Sequence, residues 1–403
     1  MLNTEKKPKM GAILSALVLA STAAMMSTHM YTPSMPHLVD YFHTTPAVVK
    51  LSLSLNALAY AMMQLIYGPL SDRYGRRPIM LIGMAGFAVF SLFCAFAQSI
   101  QQLILARVLL GISAAVQAVL VYAIIHDLFD ETGRVRAMAI YGMVIALTPA
   151  IAPVVGGYVH VWLGWQANFI LIAATGMLAF ALSWRLLPES APPDKNGLQL
   201  KLILREYAKL LGNHRYMNYA IMMGAGSGVI MAFVTAGPFI FISYFNVPTE
   251  HYGLYFVIPV LSFISANLVT RRIAGKMDIE TLLRLGLVVS AIGTIAITAL
   301  ISSRLQGPLS LILVFSITTF GLGPVFAIAP MRALDSTDSP TGVASAMVNM
   351  VPMLMGGLAS VSLSIFHDGT SRPLAFTVLG LLFIAAISYW KASQQTEKAI
   401  KKA

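Results

Sequence analysis

Hydropathy along the chain rises and falls in long blocks, and each apolar block has the length of a membrane-spanning helix. With a window near 19 residues, six blocks stand out at about 11–33, 50–70, 78–98, 102–125, 137–160 and 164–187. Six more follow at about 218–245, 253–270, 281–302, 307–331, 342–366 and 372–391. A spanning helix needs roughly 20 mostly apolar residues, so each block predicts one span. Short polar turns join the blocks, with one exception. From Pro188 to Asn218 the chain is polar, beginning Pro-Glu-Ser-Ala-Pro-Pro-Asp-Lys, and from Leu198 to Leu211 apolar residues recur at helical spacing between lysines and arginines. That stretch predicts a linker with an amphipathic helix on the membrane interface. The pattern is six spans, a linker and six spans, divided as 1–187, 188–217 and 218–403.

Composition agrees with the pattern. Of 403 residues, 57% are hydrophobic and 11% charged, with a mean hydropathy of +0.76, whereas soluble domains carry about 25% charged residues. The net charge of +11 and pI near 9.7 would suit nucleic acid only if the basic residues clustered on a soluble surface. They are scattered between apolar runs, so no nucleic-acid partner is expected. Cys94 is the only cysteine, which leaves no intrachain disulfide and no cysteine metal cluster. Lys6, Lys7 and Lys9 before the first block resemble the head of a signal peptide, but the block's length and the later spans favour an uncleaved first helix.

Lysine and arginine also orient the chain. With the N-terminus in the cytoplasm, the outer side receives only Lys50, Arg304 and Arg372. The inner side receives Arg73, Arg76, Arg77, Arg134, Arg136, Arg271, Arg272, Lys276 and both tails. Positive-inside bias therefore predicts a multi-pass protein of a bacterial inner membrane with both termini cytoplasmic. The halves also echo each other, since Pro153–Gly157 in the fifth span has a loose counterpart in Pro352–Gly357 of the eleventh.

Three motifs narrow the reading. Between spans two and three stands Gly68-Pro-Leu-Ser-Asp72-Arg73-Tyr-Gly75-Arg76-Arg77-Pro78, a short turn with one acid, three arginines and two glycines. An aspartate there can face the positive N-terminal end of a neighbouring helix, and arginines can pair with acids or lipid phosphates; plain inner-side topology would also use these residues. Span four holds Arg107-Val-Leu-Leu-Gly111. An arginine at the centre of a span costs about 2.5–3.5 kcal/mol or more and usually faces a cavity or a partner, although Arg107 is near enough to the outer end to snorkel. Span five holds Thr148-Pro149-Ala-Ile-Ala-Pro153-Val-Val-Gly156-Gly157, in which prolines free carbonyls and small residues permit close helix packing.

The first motif closely resembles the signature loop of the major facilitator superfamily. The second is similar to the arginine-and-glycine motif of its proton-linked exporters, and the third to the antiporter motif of its drug exporters, with Ala152 where a glycine is usual. Further stretches resemble the Bcr/CflA branch: Met30–Pro36, Gly164–Phe169, Gly237–Phe245, Tyr252–Phe256 and Gly342–Ala346. This resemblance covers nearly the whole chain. It implies an all-α membrane protein of the major facilitator fold, twelve transmembrane helices in two pseudo-symmetric six-helix bundles around a midplane cavity. It also implies a conformational latch at Gly68, Asp72, Arg73, Gly75, Arg76 and Arg77, and an antiporter motif at Pro149, Pro153, Gly156 and Gly157.

Proton exchange needs a buried group that can change protonation. In the resembled branch an acid commonly precedes the Met-Tyr-x-Pro stretch of span one, and here that position is His29. An unperturbed histidine titrates near pH 6.5, so His29 suits proton coupling; an interfacial histidine is the other reading. No carboxylate falls near the middle of any predicted span, because Asp127 and Glu131 belong to the inner end of span four and Asp40, Glu250 and Asp368 to outer loops. A cavity holding Arg107 and His29 without an opposing acid would attract anions more than cations. Asn56, Gln64, Gln117, Tyr122, Asn267 and Asn349 are candidate cavity contacts, since a buried polar group needs a hydrogen-bond partner, which a neighbouring helix could equally supply. Met25, Met26, Met62, Met63, Met143, Met222, Met223 and Phe233 could make the wall adaptable.

The function expected from these features is export of drugs or small amphipathic molecules from the cytoplasm, driven by a proton gradient and acting as a monomer without a cofactor. The alternative is a dedicated exporter of an anionic metabolite such as a carboxylate siderophore. No intramembrane His/Glu metal cluster and no Ser/His/Asp set is visible in the sequence, so neither a metal site nor an enzyme is expected.

Overall fold

The computed structural model describes residues 10–190, 200–303 and 307–400. The basic head Lys6, Lys7 and Lys9, the linker residues Pro192 to Gln199, Arg304 and the tail lysines Lys401 and Lys402 lie outside the described residues. Among the described residues, twelve helices are long and apolar enough to cross a membrane.

The first span is longer than hydropathy predicts and is broken. Helix α1 (Met10–His29) gives way to a 3-10 turn at Thr32–Ser34 and then to α2 (Met35–Tyr41). Pro33 and Pro36 supply no backbone N–H and disfavour helix in the residue before them, which places the break. The next five spans are α3 (Pro46–Tyr74), α4 (Arg76–Ala95), α5 (Ile100–Leu128), α6 (Glu131–Leu163) and α7 (Trp165–Leu186). The amphipathic α8 (Leu200–Gly212) follows the linker. The seventh span is α9 (His214–Pro238), which passes at its proline into a π-helical turn, Phe239–Tyr244. The last five are α10 (Thr249–Ile273), α11 (Ile279–Ser302), α12 (Pro308–Leu334), α13 (Thr341–Ile365) and α14 (Arg372–Ile400). Side-chain caps set several starts: Ser99, Asp130, Asn213 and Asp278 accept from the backbone N–H of Gln102, Gly133, Tyr216 and Thr281.

Packing repeats after six spans. In the first half α3 and α4 pack on α5, α4 on α7, and α1 on α6 and α7; in the second, α10 and α11 pack on α12, α11 on α14, and α9 on α13 and α14. Each pair in one list is the other list's pair moved six spans along the chain. The halves meet through α3 with α13 and α6 with α10, two contacts that the same operation interchanges. This is a two-fold pseudo-symmetric arrangement of two six-helix halves.

Because the spans alternate, one face, the terminal face, carries the start of α1 and the end of α14 together with α8 and the Asp72–Arg77 turn, and the opposite one is the far face. The halves close on the far face. Gly253 of α10 lies so near the backbone of Pro153 and Val154 that a β-carbon would overlap it, and Gly157 of α6 is packed as closely against the backbone of Thr249 and Glu250. On the terminal face, α8 links the halves by a hydrogen bond from the Tyr207 hydroxyl to the Leu65 carbonyl of α3, 3.2 Å.

Candidate substrate cavity and surrounding motifs

Between the halves lies a cavity of about 200 Å³ lined from α1, α3, α5, α6, α9, α12 and α13. Its wall residues come from the terminal-face portions of these helices, for example Gln117 and Tyr122 of α5 and Tyr141 of α6. The cavity is therefore offset toward the terminal face, away from the closed contact of α6 with α10. Tyr60, Tyr122 and Tyr141 form an aromatic side, with Tyr122 and Tyr141 edge to face at 5.1 Å. Gln64, Gln117, Asn349, Ser21 and Ser227 supply polar groups, while Met25, Met223, Met353 and Phe326 supply adaptable apolar surface. The Gln117 carbonyl oxygen is buried without a hydrogen-bond partner, so a bound solute can complete it. No Asp, Glu, Lys, Arg or His stands among the lining residues.

Four of the six polar contacts expected from sequence, Gln64, Gln117, Tyr122 and Asn349, are on this wall. The other two are not. Asn56 donates to the Arg107 carbonyl at 2.6 Å, and Asn267 donates to Phe263 of its own helix at 2.8 Å. Of the methionines, Met25 and Met223 reach the cavity, whereas Met62 and Met143 point outward and Phe233 stacks on Phe315 at 4.0 Å.

Arg107 neither lines the cavity nor snorkels. It is fully buried inside the first half, where Nη1 donates to the Ser27 carbonyl at 2.5 Å and the guanidinium lies 4.3 Å from the centre of the Tyr31 ring. Its Nε and Nη2 have no hydrogen-bond partner. Tyr31 is in turn fixed by Ser52, 2.8 Å from its hydroxyl. Arg107 thus holds the last turn of α1, two residues before His29. His29 is buried, its ring 6.3 Å from Phe256 of α10 and its Nδ1 unpartnered. The two coupling candidates therefore stand on different helices, Arg107 of α5 gripping the end of α1 at Ser27 and His29 closing α1 at the seam between the halves.

The arginine-rich turn organises the terminal face of the first half. Gly75 adopts φ +94°, a left-handed conformation that favours glycine, and a β-carbon there would also meet the Glu189 carboxylate. Glu189 Oε1 accepts from the Arg76 backbone N–H at 2.8 Å, placing an acid at the positive N-terminal end of α4. Sequence reasoning assigned that kind of position to Asp72. Asp72 is instead 62% exposed and pairs with Arg76 at 3.0 Å, while Arg76 Nε also binds Asp127 at 2.7 Å. Arg77 donates to the Trp184 carbonyl at 2.8 Å, and Arg73 lies 5.1 Å from the Tyr74 ring. Gly68 stands in α3 facing Val119. These contacts all join elements of the first half or the start of the linker.

The fifth-span motif lies where α6 meets its neighbours. Pro149 and Pro153 are inside α6, Gly156 faces Met30, and Gly157 faces the backbone of Thr249 and Glu250 in α10. Asn168 of α7 braces the segment by donating to the Gly156 carbonyl at 3.2 Å. Lys50 was read from sequence only as a loop charge. It is buried and bonds His367, 317 residues later, a pairing for which local sequence offers no signal.

Comparison with known proteins agrees with this architecture. Residues 17–360 match the family model described as Major Facilitator Superfamily. The chain is 27% identical over 374 residues to a bicyclomycin resistance protein homolog of Haemophilus influenzae, covering 92% of this chain and 93% of that one. It is 31% identical over 340 residues to the multidrug transporter MdfA of Yersinia pestis, covering 84% and 83%. Among solved structures, a bacterial homolog of the human lysosomal transporter Spinster superposes with a TM-score of 0.77 at 16% identity, over 96% of this chain and 98% of that one. The xylose transporter XylE of E. coli does so with a TM-score of 0.73 at 14% identity, over 94% and 97%. At these identities the structural matches speak for the fold.

Proposed function

The chain belongs to the Major Facilitator Superfamily, and from that premise we propose that it exports drug-like amphipathic molecules from a bacterial cytoplasm by alternating access, in exchange for protons. The observation that carries this reading is the uncharged cavity of tyrosines, amides and methionines between the halves. Flexible thioethers and aromatic faces accept varied apolar shapes, and the unpaired Gln117 oxygen adds a hydrogen-bond acceptor. The printed names of the relatives, bicyclomycin resistance and multidrug transport, point to the same cargo.

The terminal face carries the arginine-rich turn and is taken as cytoplasmic in an inner membrane. A cavity offset to that face, with α6 and α10 closed on the other, is placed to load from inside. Proton exchange is assigned to His29. It stands at the seam against Phe256 with an unpaired Nδ1, so separation of the halves on the far face would expose it to water. Arg107 has the supporting task of fixing the end of α1 through Ser27. The cavity offers no counter-ion to either sign of charge, which favours uncharged cargo. A dedicated exporter of an anionic metabolite would need a cation on the wall, and Arg107 is not there.

Transport in proteoliposomes under an imposed pH gradient tests the reading, with chloramphenicol as uncharged probe, ethidium as cation and citrate as polycarboxylate. Chloramphenicol should move fastest against its gradient, and His29→Ala should let it run downhill only. Movement of citrate alone would overturn both the cargo and the cavity argument.

A further inference from the structure

The far face holds a second cleft, of about 240 Å³, that is separate from the cavity. It is bounded by the start of α3 on one side, and by the π-helical turn, the end of α13 and the start of α14 on the other. Lys50 enters it from α3, four residues after Pro46, and is only 3% exposed. Its Nζ lies 2.9 Å from His367 Nδ1 and 4.9 Å from the centre of the Phe239 ring, so a first-half cation is held entirely by second-half groups. His367, in the loop between α13 and α14, is itself 6.2 Å from that ring.

A lysine ammonium has three donors and no acceptor, so this bond needs a neutral imidazole whose Nδ1 lone pair faces Lys50. Burial, and then the Lys50 charge, hold His367 below the ordinary histidine range, while Asp368 acts in the opposite sense. The other ionisable groups nearby are Tyr244 on the π-helical turn, Asp368, whose Oδ1 is bound by Thr370, and exposed Arg372 at the start of α14.

We propose that the Lys50–His367 pair is a proton-operated catch on the far face: a proton taken up by His367 removes the acceptor, sets two cations side by side and releases the halves. The proton comes from the medium on that side and binds Nδ1, so the Lys50 hydrogen bond breaks; no other covalent bond changes. The inference rests on the alternating-access part of the proposed function and is independent of its cargo. The closed state binds the neutral form, so closure is favoured at high pH and lost as pH falls through the histidine range. For an exporter driven by inward proton flow, this opens the discharge side where protons are plentiful.

The test uses the full chain in lipid nanodiscs, without substrate or gradient. Spin labels on Leu163→Cys and Leu309→Cys, at the far-face ends of α6 and α12 and 72% and 56% exposed, report the rim distance; Cys94 is buried. Between about pH 8 and about pH 5.5 the ratio of long to short distances should rise about tenfold. His367→Gln keeps an acceptor oxygen for Lys50 but does not protonate in this range, and should abolish the rise. Lys50→Met should leave the long distance populated at both pH values. A full pH response in His367→Gln, or none in the parent, would refute the catch. Because the labels need no cargo, a parent that fails to export against a proton gradient would refute antiport without touching this result.

Discussion

Replacing Gly253 by valine tests the far-face closure on which the proposed alternating access depends. A β-carbon at this position would overlap the main chain of Pro153 and Val154, and no side-chain rotation relieves a clash with backbone. The clash exists only while α6 and α10 touch, so its cost falls on the far-face-closed conformer and spares the open one. Over-packing a tight contact costs about 1–3 kcal/mol. At about 1.4 kcal/mol per factor of ten, the ratio of open to closed molecules should rise by roughly 5- to 150-fold. The Leu163/Leu309 spin-label pair reads that ratio directly at a fixed pH near 8, where the Lys50–His367 pair favours closure. Gly253→Ala should shift the ratio in the same direction, since its β-carbon already meets the backbone. Export should fall in both variants. The thermal unfolding temperature should change little, because the open conformer escapes the strain. Wild-type rim distances in Gly253→Val together with full export would refute the reasoning, since α6 and α10 would then have yielded locally.

Two further substitutions separate wall from scaffold. Tyr122→Ala removes one aromatic of the cavity and should weaken equilibrium binding of chloramphenicol about tenfold, the order of an aromatic contact worth 0.5–1.5 kcal/mol plus its buried area; unchanged binding by titration calorimetry would place the cargo elsewhere. Arg107→Met should leave that binding within about twofold and should not lower the unfolding temperature, because replacing a buried, partly unpaired charge by an apolar side chain of similar length is often neutral or stabilising; loss of binding with retained stability would put Arg107 on the substrate path.

The spans were legible because a lipid-facing helix must be apolar over its whole length, and hydropathy integrates that over about 20 residues. Breaks inside spans were less so. The prolines at 33, 36 and 238 were visible, but whether a proline kinks, ends or π-bulges a helix depends on which neighbours satisfy the freed carbonyls. The cavity was half legible. Gln64, Gln117, Tyr122 and Asn349 could be named because polar groups in a span need a reason, and they line the wall. Asn56 and Asn267 satisfy the same criterion by bonding to helix carbonyls, which spacing cannot distinguish. Arg107 was expected beside the cavity because charge in a span usually meets water or a partner; it found a carbonyl and a ring instead. Lys50 with His367 and Glu189 with the start of α4 were invisible, since each joins positions more than a hundred residues apart.

The two faces hold the halves by different physics. The far face is closed by backbone packed on backbone, at Gly253 with Val154 and Gly157 with Thr249, plus one buried polar catch. Such contacts are short-ranged and all-or-none, so they suit a state that is either shut or open. The terminal face carries ion pairs instead, but those of the Asp72–Arg77 turn are made within the first half, and Asp72 is left largely exposed. Exposed ion pairs are worth about 0–1 kcal/mol each and can be exchanged at little net cost. Asp72 can leave Arg76, which keeps Asp127. A transporter whose terminal-face contacts exchange cheaply and whose far-face contacts break sharply would have its rate governed by the far face, where the closed backbone packing and the Lys50–His367 pair both reside.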